Sequence, residues 1–331
     1  MYEIKRVLKY FLMIKTKVQN KSKELKEKPL VSVVIPVFNG SSYLEETVKS
    51  VQKSQYQKFE ILLIDDGSTD KSKHICHSLE KKYKNVRFFS FPKNRGLGNV
   101  LNFALKKAHG EFICRINQDD RMLPFRIQTQ VNFLTKNTQV VAVGSCIKLF
   151  RNEKNKYEIV KFLETDEEIK RVWLLVSPFA DPSVMYRKTI AIKAGGYDQR
   201  FWPGDDTHLW MKMGIIGKLA NIQEPLVEVR FHNNAASVKH FRELTLVTYK
   251  LHRWAHNTIQ NAPLLIQGFW VIQLGCGLMF SPQFNWNVYR ILKRIINPLQ
   301  AFLGRLMNQT AKNKTLIKVR IQPKKLRLSG T

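Results

Sequence analysis

The sequence predicts an α/β fold, a mostly parallel sheet flanked by helices, on three observations. Short β-branched apolar runs alternate with stretches of helical periodicity. Several of these elements meet pairs of aspartates at their ends. An extreme positive charge is gathered at the two ends of the chain, outside the alternating part. At 331 residues and 44% hydrophobic, the chain can build one α/β core and still carry appendages. The four cysteines, Cys76, Cys114, Cys146 and Cys276, are widely spaced and form no CxxC pair. Neither a zinc site nor a disulfide framework is expected, and a reducing cytosol fits.

The net charge is +29. Residues 1–28 hold nine Lys/Arg against three Glu, and the 88 residues after Glu243 hold thirteen Lys/Arg and no acid. In the first of these segments Ile4, Val7, Leu8, Phe11 and Ile14 fall at helical spacing, with Lys5, Arg6, Lys9 and Lys15 off the stripe. That pattern predicts a basic amphipathic helix, too short and interrupted for a signal peptide or a membrane span. A charged linker follows, and the composition changes sharply at Pro29.

Leu30 to Phe38 reads as a buried strand leading into a turn at Asn39-Gly40. Ser42 and Glu45 form a capping-box pattern for a helix with Leu44, Val48 and Val51 on one face. Phe59 to Ile64 is a second strand, ending in Asp65-Asp66-Gly67. A helix carrying Ile75, Leu79 and Tyr83 and a strand from Val86 to Phe89 come next. In the loop 92–98, Gly96 and Gly98 allow close backbone approach, and Lys93 and Arg95 could meet phosphate. Leu101, Ala104, Leu105 and Ala108 give the next helix, stopped by Gly110.

The strand Glu111 to Ile116 then delivers Asn117, Asp119 and Asp120 to its carboxyl end, where open α/β sheets bind ligands. Two adjacent carboxylates repel unless a cation sits between them, and hard oxygen ligands favour Mg²⁺ or Mn²⁺ held together with substrate phosphates. Downstream, Pro124 starts a helix with Ile127, Val131 and Leu134, and Val140 to Phe150 is a strand. Residues 153–158 read as a polar turn, and Thr165 and Glu168 cap a helix carrying Ile169, Val172 and Trp173. A Pro178–Pro182 loop leads into a strand from Val184 to Tyr186. Gly195-Gly196 ends a short helix, and Asp205-Asp206 opens another. Residues 257–289 carry no charge but are broken by prolines and glycines, a weak pattern for a membrane helix. In 290–307 a stripe of Ile291, Ile295, Leu299, Phe302 and Leu306 runs beside Lys293, Arg294 and Arg305, a second basic amphipathic helix.

The order of segments 29–40 (PLVSVVIPVFNG), 59–70 (FEILLIDDGSTD), 94–105 (NRGLGNVLNFAL) and 110–127 (GEFICRINQDDRMLPFRI) resembles the family 2 glycosyltransferases. DPSVMYRK at 181–188, GGYDQRF at 195–201 and GDDTHLWMKM at 204–213 look like that family's acceptor-side half. The resemblance covers roughly residues 29–235. It implies the GT-A fold and a nucleotide-sugar-dependent, inverting transfer. By position it implies that Pro36, Val37, Asn39 and Asp66 border the nucleotide, with Arg95, Gly96 and Asn117 also on the donor side. It places Asp119 and Asp120 at the site for the metal and diphosphate, and Asp206 where the family keeps its catalytic base. Asn117 stands where an Asp is usual and Asp205 where a Glu is usual, so the base lies between two adjacent aspartates. His232 could help hold metal or phosphate, or serve structure alone.

The expected organisation is a basic extension (1–28), a GT-A catalytic domain (29–235) and a helical, basic, membrane-associating region (236–331). The expected partners are a nucleotide-diphosphate sugar, a saccharide or lipid-linked acceptor and an anionic membrane surface on the cytoplasmic side, in cell-surface polysaccharide assembly. A nucleic-acid-binding protein is the rival suggested by charge. Such modules interleave cations with aromatic stacking groups, whereas here the cations flank aliphatic stripes, so no nucleic acid is expected. A relative that binds donor without turnover is the other rival.

Overall fold

The computed structural model describes residues 28–150, 157–232 and 239–280. The amphipathic segments expected at 2–17 and 290–307 lie outside the described residues. The chain divides into two compact units, with the boundary in the sequence between Gln260 and Asn261.

In the first unit, β1 (Val31–Val37), β2 (Phe59–Asp65), β3 (Val86–Ser90) and β4 (Phe112–Arg115) run parallel and are connected by α1 (Leu44–Gln52), α2 (Ser72–Lys82) and α3 (Leu97–Lys107). The apolar runs are continuous because both faces of the sheet are covered. On β1 and β2, Val31, Val33, Ile35, Ile61 and Leu63 pack with Leu44, Val48, Val51, Cys76 and Leu79 on one side. Val34, Leu62 and Ile64 pack with Val100, Leu101, Ala104 and Leu105 on the other. The strand period of two thus splits one apolar run between two cores. Each fully buried Val, Leu or Ile there contributes roughly 1.5–3 kcal/mol.

The chain then passes through β5 (Arg121–Met122), α4 (Arg126–Lys136), β6 (Val140–Phe150), β7 (Tyr157–Val160), α5 (Asp166–Val172), β8 (Met185–Arg187), α6 (Lys188–Lys193), α7 (Asp205–Ile216), β9 (Lys218–Arg230) and α8 (Phe241–Thr258). Among the described residues nine strands form one sheet in the order β3-β2-β1-β4-β8-β6-β9-β5, with β7 paired to β6. The sheet is parallel on the β3–β4 side and mixed beyond, since β8 is antiparallel to both β4 and β6.

The structure corrects some local expectations. Ser42 and Glu45 form no capping box: α1 starts one residue later, from Tyr43, without a side-chain cap. The Gly40 carbonyl instead accepts from Tyr43 and Leu44 N–H, and Glu45 pairs with Lys49 across one helical turn. The box at Thr165 and Glu168 does form, with both reciprocal bonds present. Pro124 does not start α4: it lies in the turn that follows β5, and the helix begins two residues later at Arg126. β9 is thirteen residues long, and its pairing with β6 shifts register on either side of Pro225. Tyr157 and Glu158, read as turn, belong to β7.

The second unit contains α9 (Leu264–Met279), 16 residues without a charge. Among the described residues no helix is long and apolar enough to cross a membrane.

Candidate active site

From β1 the chain turns outward to β2 and β3 and then returns to place β4 on the other flank of β1. That reversal makes a topological switch point, and the crevice beyond the carboxyl ends of β1 and β4 is the place such sheets offer a ligand. Backbone pairing between the two strands runs only to Val34–Arg115. Past it, the Gln118 amide closes the gap, with Oε1 accepting from Phe38 N–H and Nε2 donating to Phe38 C=O, both at 2.9 Å.

The nucleotide-side candidates are tied to one another by backbone contacts. Asn39 sits at φ 49°, a left-handed conformation that Asn tolerates, and its Oδ1 accepts from Thr69 N–H at 2.9 Å. The Asp70 carboxylate accepts from Ser41 and Ser72 N–H, and the Ser72 and Ser41 bonds, outweighing its desolvation, hold its pKa down at about 2. Asp66 is buried, and its two oxygens accept from Arg95 and Gly96 N–H at 2.7 and 3.0 Å. It therefore anchors the glycine-bearing loop 92–98. Gly67 has to be glycine: its φ is +73° and a Cβ would lie 2.6 Å from the Lys93 backbone. The Arg95 side chain is exposed and stacks over Phe91. Pro36 and Val37 form the last two residues of β1, above the crevice.

Asp119 and Asp120 follow β4 in a turn closed by Asp120 N–H on Asn117 C=O. The two-residue strand β5 pairs Arg121 with Glu228 and Met122 with Val227, which brings the end of β9 against this turn. Arg230 N–H donates to Asp120 Oδ1 at 2.9 Å, and Arg230 Nε donates to the Asp119 carbonyl at 3.1 Å. The Arg230 guanidinium also pairs with Glu46 at 2.7 Å and lies over the Tyr43 ring. His232 Nε2 stands 2.9 Å from Asp119 Oδ2. Asp120 is 1% exposed, and its Oδ2 has no hydrogen-bond partner among the described residues. Burial, then the neighbouring Asp119, pushes the Asp120 carboxyl well above the usual carboxylate range.

Asp205 and Asp206 occupy the first turn of α7, after the aromatic loop at Phe201-Trp202. Asp205 is buried with Oδ2 unpartnered among the described residues, and burial, then Asp181, raises its pKa to about 6. Asp206 is half-buried and accepts from Thr207 N–H at 2.6 Å. Burial, then the charges of Asp181 and Asp205, pushes its carboxyl well up. His208, one turn on, stacks on Phe201 at 4.0 Å and meets the edge of Trp254. Burial, then Lys212, lowers it to about 3, so it is a neutral packing residue at pH 7.

Between the two acid pairs stands a side chain to which sequence reasoning assigns no role. Asp181, on the 3₁₀ turn Asp181–Ser183, accepts from Arg115 Nη2 at 2.6 Å, and the same nitrogen donates to Asn117 Oδ1 at 3.2 Å. Arg115 is wholly buried, and it carries the signal that could have led to Asp181. A cation closing an apolar strand demands a buried counter-charge, and Asp181 in its proline-bounded loop supplies it.

A family model described as Glycosyl transferase family 2 matches residues 32–195. An uncharacterized glycosyltransferase of Haemophilus influenzae is 27% identical over 234 residues, which are 68% of this chain and 72% of that protein. An Escherichia coli protein named UDP-Gal:alpha-D-GlcNAc-diphosphoundecaprenol beta-1,3-galactosyltransferase is 29% identical over 213 residues, 63% of this chain and 76% of that one. Residues 1–349 of S. aureus TarS, solved in complex with UDP-GlcNAc, superpose with a TM-score of 0.55 at 17% identity, covering 86% of this chain and 91% of that one. At that identity the likeness concerns the fold. The family match runs from β1 to the end of α6, through the switch point, the acid turn and the Asp181 loop, and with the relatives and the shared architecture it shows that the chain belongs to glycosyl transferase family 2 and is a glycosyltransferase of the GT-A fold.

Proposed function

We propose that the protein is a metal-dependent, inverting enzyme that moves a sugar from a nucleotide-diphosphate donor to a hydroxyl of a saccharide or lipid-linked acceptor. The observation that carries this reading is the Asp119-Asp120 turn at the switch point, where a buried carboxylate oxygen of Asp120 has no protein partner among the described residues. A divalent cation, Mg²⁺ or Mn²⁺, fits that orphaned oxygen. Among the described residues no three His, Cys, Asp or Glu side chains form a cage of their own. Two carboxylates with phosphates completing the shell is a common arrangement for Mg²⁺. Asp119 and Asp120 would hold the ion, with His232 orienting or joining Asp119. When bound it would neutralise the departing diphosphate.

The chain's own residues account for the rest. Pro36, Val37 and Asn39 border the nucleotide, Asp66 holds Arg95 and Gly96 against it, and Asn117 offers an amide to the ribose. The acceptor hydroxyl oxygen bonds to the anomeric carbon as the bond to the diphosphate oxygen breaks, and its proton passes to Asp206 or Asp205. Attack opposite the leaving group inverts the centre without a covalent intermediate. The Escherichia coli relative is named for a diphosphoundecaprenol-linked substrate, which supports a lipid-linked acceptor in cell-surface polysaccharide assembly. The surplus cations at both ends support peripheral attachment to an anionic cytoplasmic membrane face, each engaged Lys or Arg adding about 1 kcal/mol.

The test is release of nucleoside diphosphate across a panel of nucleotide sugars, with Mg²⁺, with Mn²⁺ and with chelator. Metal-dependent release from one or few donors is expected. Donor binding without turnover over the whole panel and a range of saccharide and lipid-linked acceptors would select the catalytically silent alternative. Co-sedimentation with anionic vesicles, reversed by salt, checks the attachment.

A further inference from the structure

We propose that one face of α1 is a template for the Asp119–Asp120 turn, and that the buried Thr47 is the positioning residue that sets how the two carboxylates stand to one another. The proposal rests on the reading of that turn as the metal site.

Tyr43, Glu46, Thr47 and Ser50 recur at the spacing that gathers side chains on one side of a helix. Leu44, Val48 and Val51 turn another side into the core, and Glu45 pairs with Lys49 in solvent. The polar side is spent on the chain from Gln118 to Met122. Thr47 is 1% exposed, and its Oγ1 stands 2.8 Å from the Gln118 carbonyl oxygen and 2.8 Å from that of Asp120. The first carbonyl belongs to the peptide that enters Asp119 and the second to the peptide that leaves Asp120. A hydroxyl has one proton to donate, so both acceptors have to be drawn to the same point to share it. The acid pair is thereby curled around a single oxygen atom.

Two further contacts hold the same turn. The Glu46 carboxylate pairs with Arg121, directly after the acids, and with Arg230 at 2.7 Å. Arg230 is nearly buried and donates to Asp120 Oδ1 and to the Asp119 carbonyl, so Glu46 supplies counter-charge to the group that fixes both acids from the far side. One helical turn on from Glu46, Ser50 Oγ accepts from Met122 N–H at 2.9 Å. At its other end α1 starts from Gly40, in a loop whose N–H groups donate to Ser68, Ser72 and Asp70. One helix therefore carries the nucleotide-side loop at its start and the acid turn on its flank. Residues that orient the ligands of a cation typically change metal affinity 10- to 100-fold when lost.

The test is Mn²⁺ affinity, read from the spin-resonance signal of the free ion with UDP, GDP, CDP, ADP and dTDP present in turn, together with melting of the metal-free protein. Thr47→Val removes the hydroxyl at nearly constant volume and should weaken Mn²⁺ binding about 10-fold or more. Thr47→Ser keeps the hydroxyl and should stay within about 3-fold of wild type on the same scale. Wild-type Mn²⁺ affinity in Thr47→Val, with only its melting temperature lowered, overturns the proposal and leaves a purely structural threonine. Equal weakening in the Ser and Val variants overturns it too. Should Thr47→Val fail to melt cooperatively, Glu46→Gln decides from a half-exposed position: a several-fold loss of Mn²⁺ affinity supports the template, and unchanged affinity overturns it. The metal reading fails separately and takes the proposal with it, if the wild-type protein binds no Mn²⁺ with any of the nucleotides or Asp119→Asn binds it as tightly.

Discussion

Asp119-Asp120 and Asp205-Asp206 are the same dipeptide held in two different ways. The first lies on an irregular turn whose shape is imposed from more than 100 residues away, by Arg230 and His232. The second lies on the first turn of a helix, where the backbone itself presents the carboxylates and the positive helix end favours their charge. In each pair one carboxylate is nearly inaccessible with an orphaned oxygen, Asp120 in one and Asp205 in the other. The partners differ. Asp119 has an imidazole at its oxygen, as suits a group that shares a cation, whereas Asp206 accepts from the Thr207 N–H and feels the charges of Asp181 and Asp205 more strongly than the Arg115 cation, as suits a group that takes up a proton. A sequence dipeptide thus has no fixed chemistry until its neighbours are known.

The comparison breaks most sharply at the donor. Asp120→Asn or Asp119→Asn should abolish metal-dependent donor binding while the fold survives, and calorimetry with Mn²⁺ showing unchanged affinity would remove the metal role from this pair. Asp206→Asn should lower turnover by about 10² or more at nearly unchanged donor affinity, the scale of a general base. If Asp205→Asn shows that pattern and Asp206→Asn does not, the two exchange roles.

Stability gives a third handle. The folded-state pKa of Asp205 is raised from 3.8 to about 6, so its contribution to stability is intact below about pH 4 and is lost as pH rises through 6. Asp205→Asn should therefore stabilise the metal-free protein at pH 7.5 by on the order of 2–3 kcal/mol, with little gain at pH 4, and melting curves at the two pH values decide it. The smallest effect is expected for Asn117→Asp. Its side chain lies beside the Arg115 guanidinium, so an added charge has a cation to meet, and donor affinity and turnover should stay within a few-fold by the same assays.

Legibility in the sequence followed the range over which each feature is determined. The parallel strands were readable because burial on both faces leaves an uninterrupted apolar run, and the Thr165–Glu168 box because all its partners lie within four residues. The box at Ser42 has the same pattern and fails, because the N–H groups of Gly40 and Ser41 are drawn toward Ser72 and Asp70 at the start of α2, and that tertiary pull displaces the helix start. Both acid pairs were visible as residues. Their surroundings were not, since β5 is two residues long and leaves no periodic signal, yet it is what carries Arg230 and His232 to the turn. Asp181 is of the same kind, a role created by a contact 66 residues distant in the chain.

The Gln118 amide behaves as one extra rung in the β1–β4 ladder, added by a side chain where the main chains have already diverged. Its place is reserved by a missing atom: a Cβ on Gly40 would lie 2.1 Å from Gln118 Oε1. Positions 40 and 118 are therefore tenants of a single space. Alanine at 40 should displace the glutamine amide and with it the two bonds to Phe38, whereas a shorter residue at 118 should leave room for the methyl but supply no rung. Relatives with a side chain at the first position should carry a smaller or differently aimed one at the second, and the width of the donor entrance should drift with the pair rather than with either residue alone.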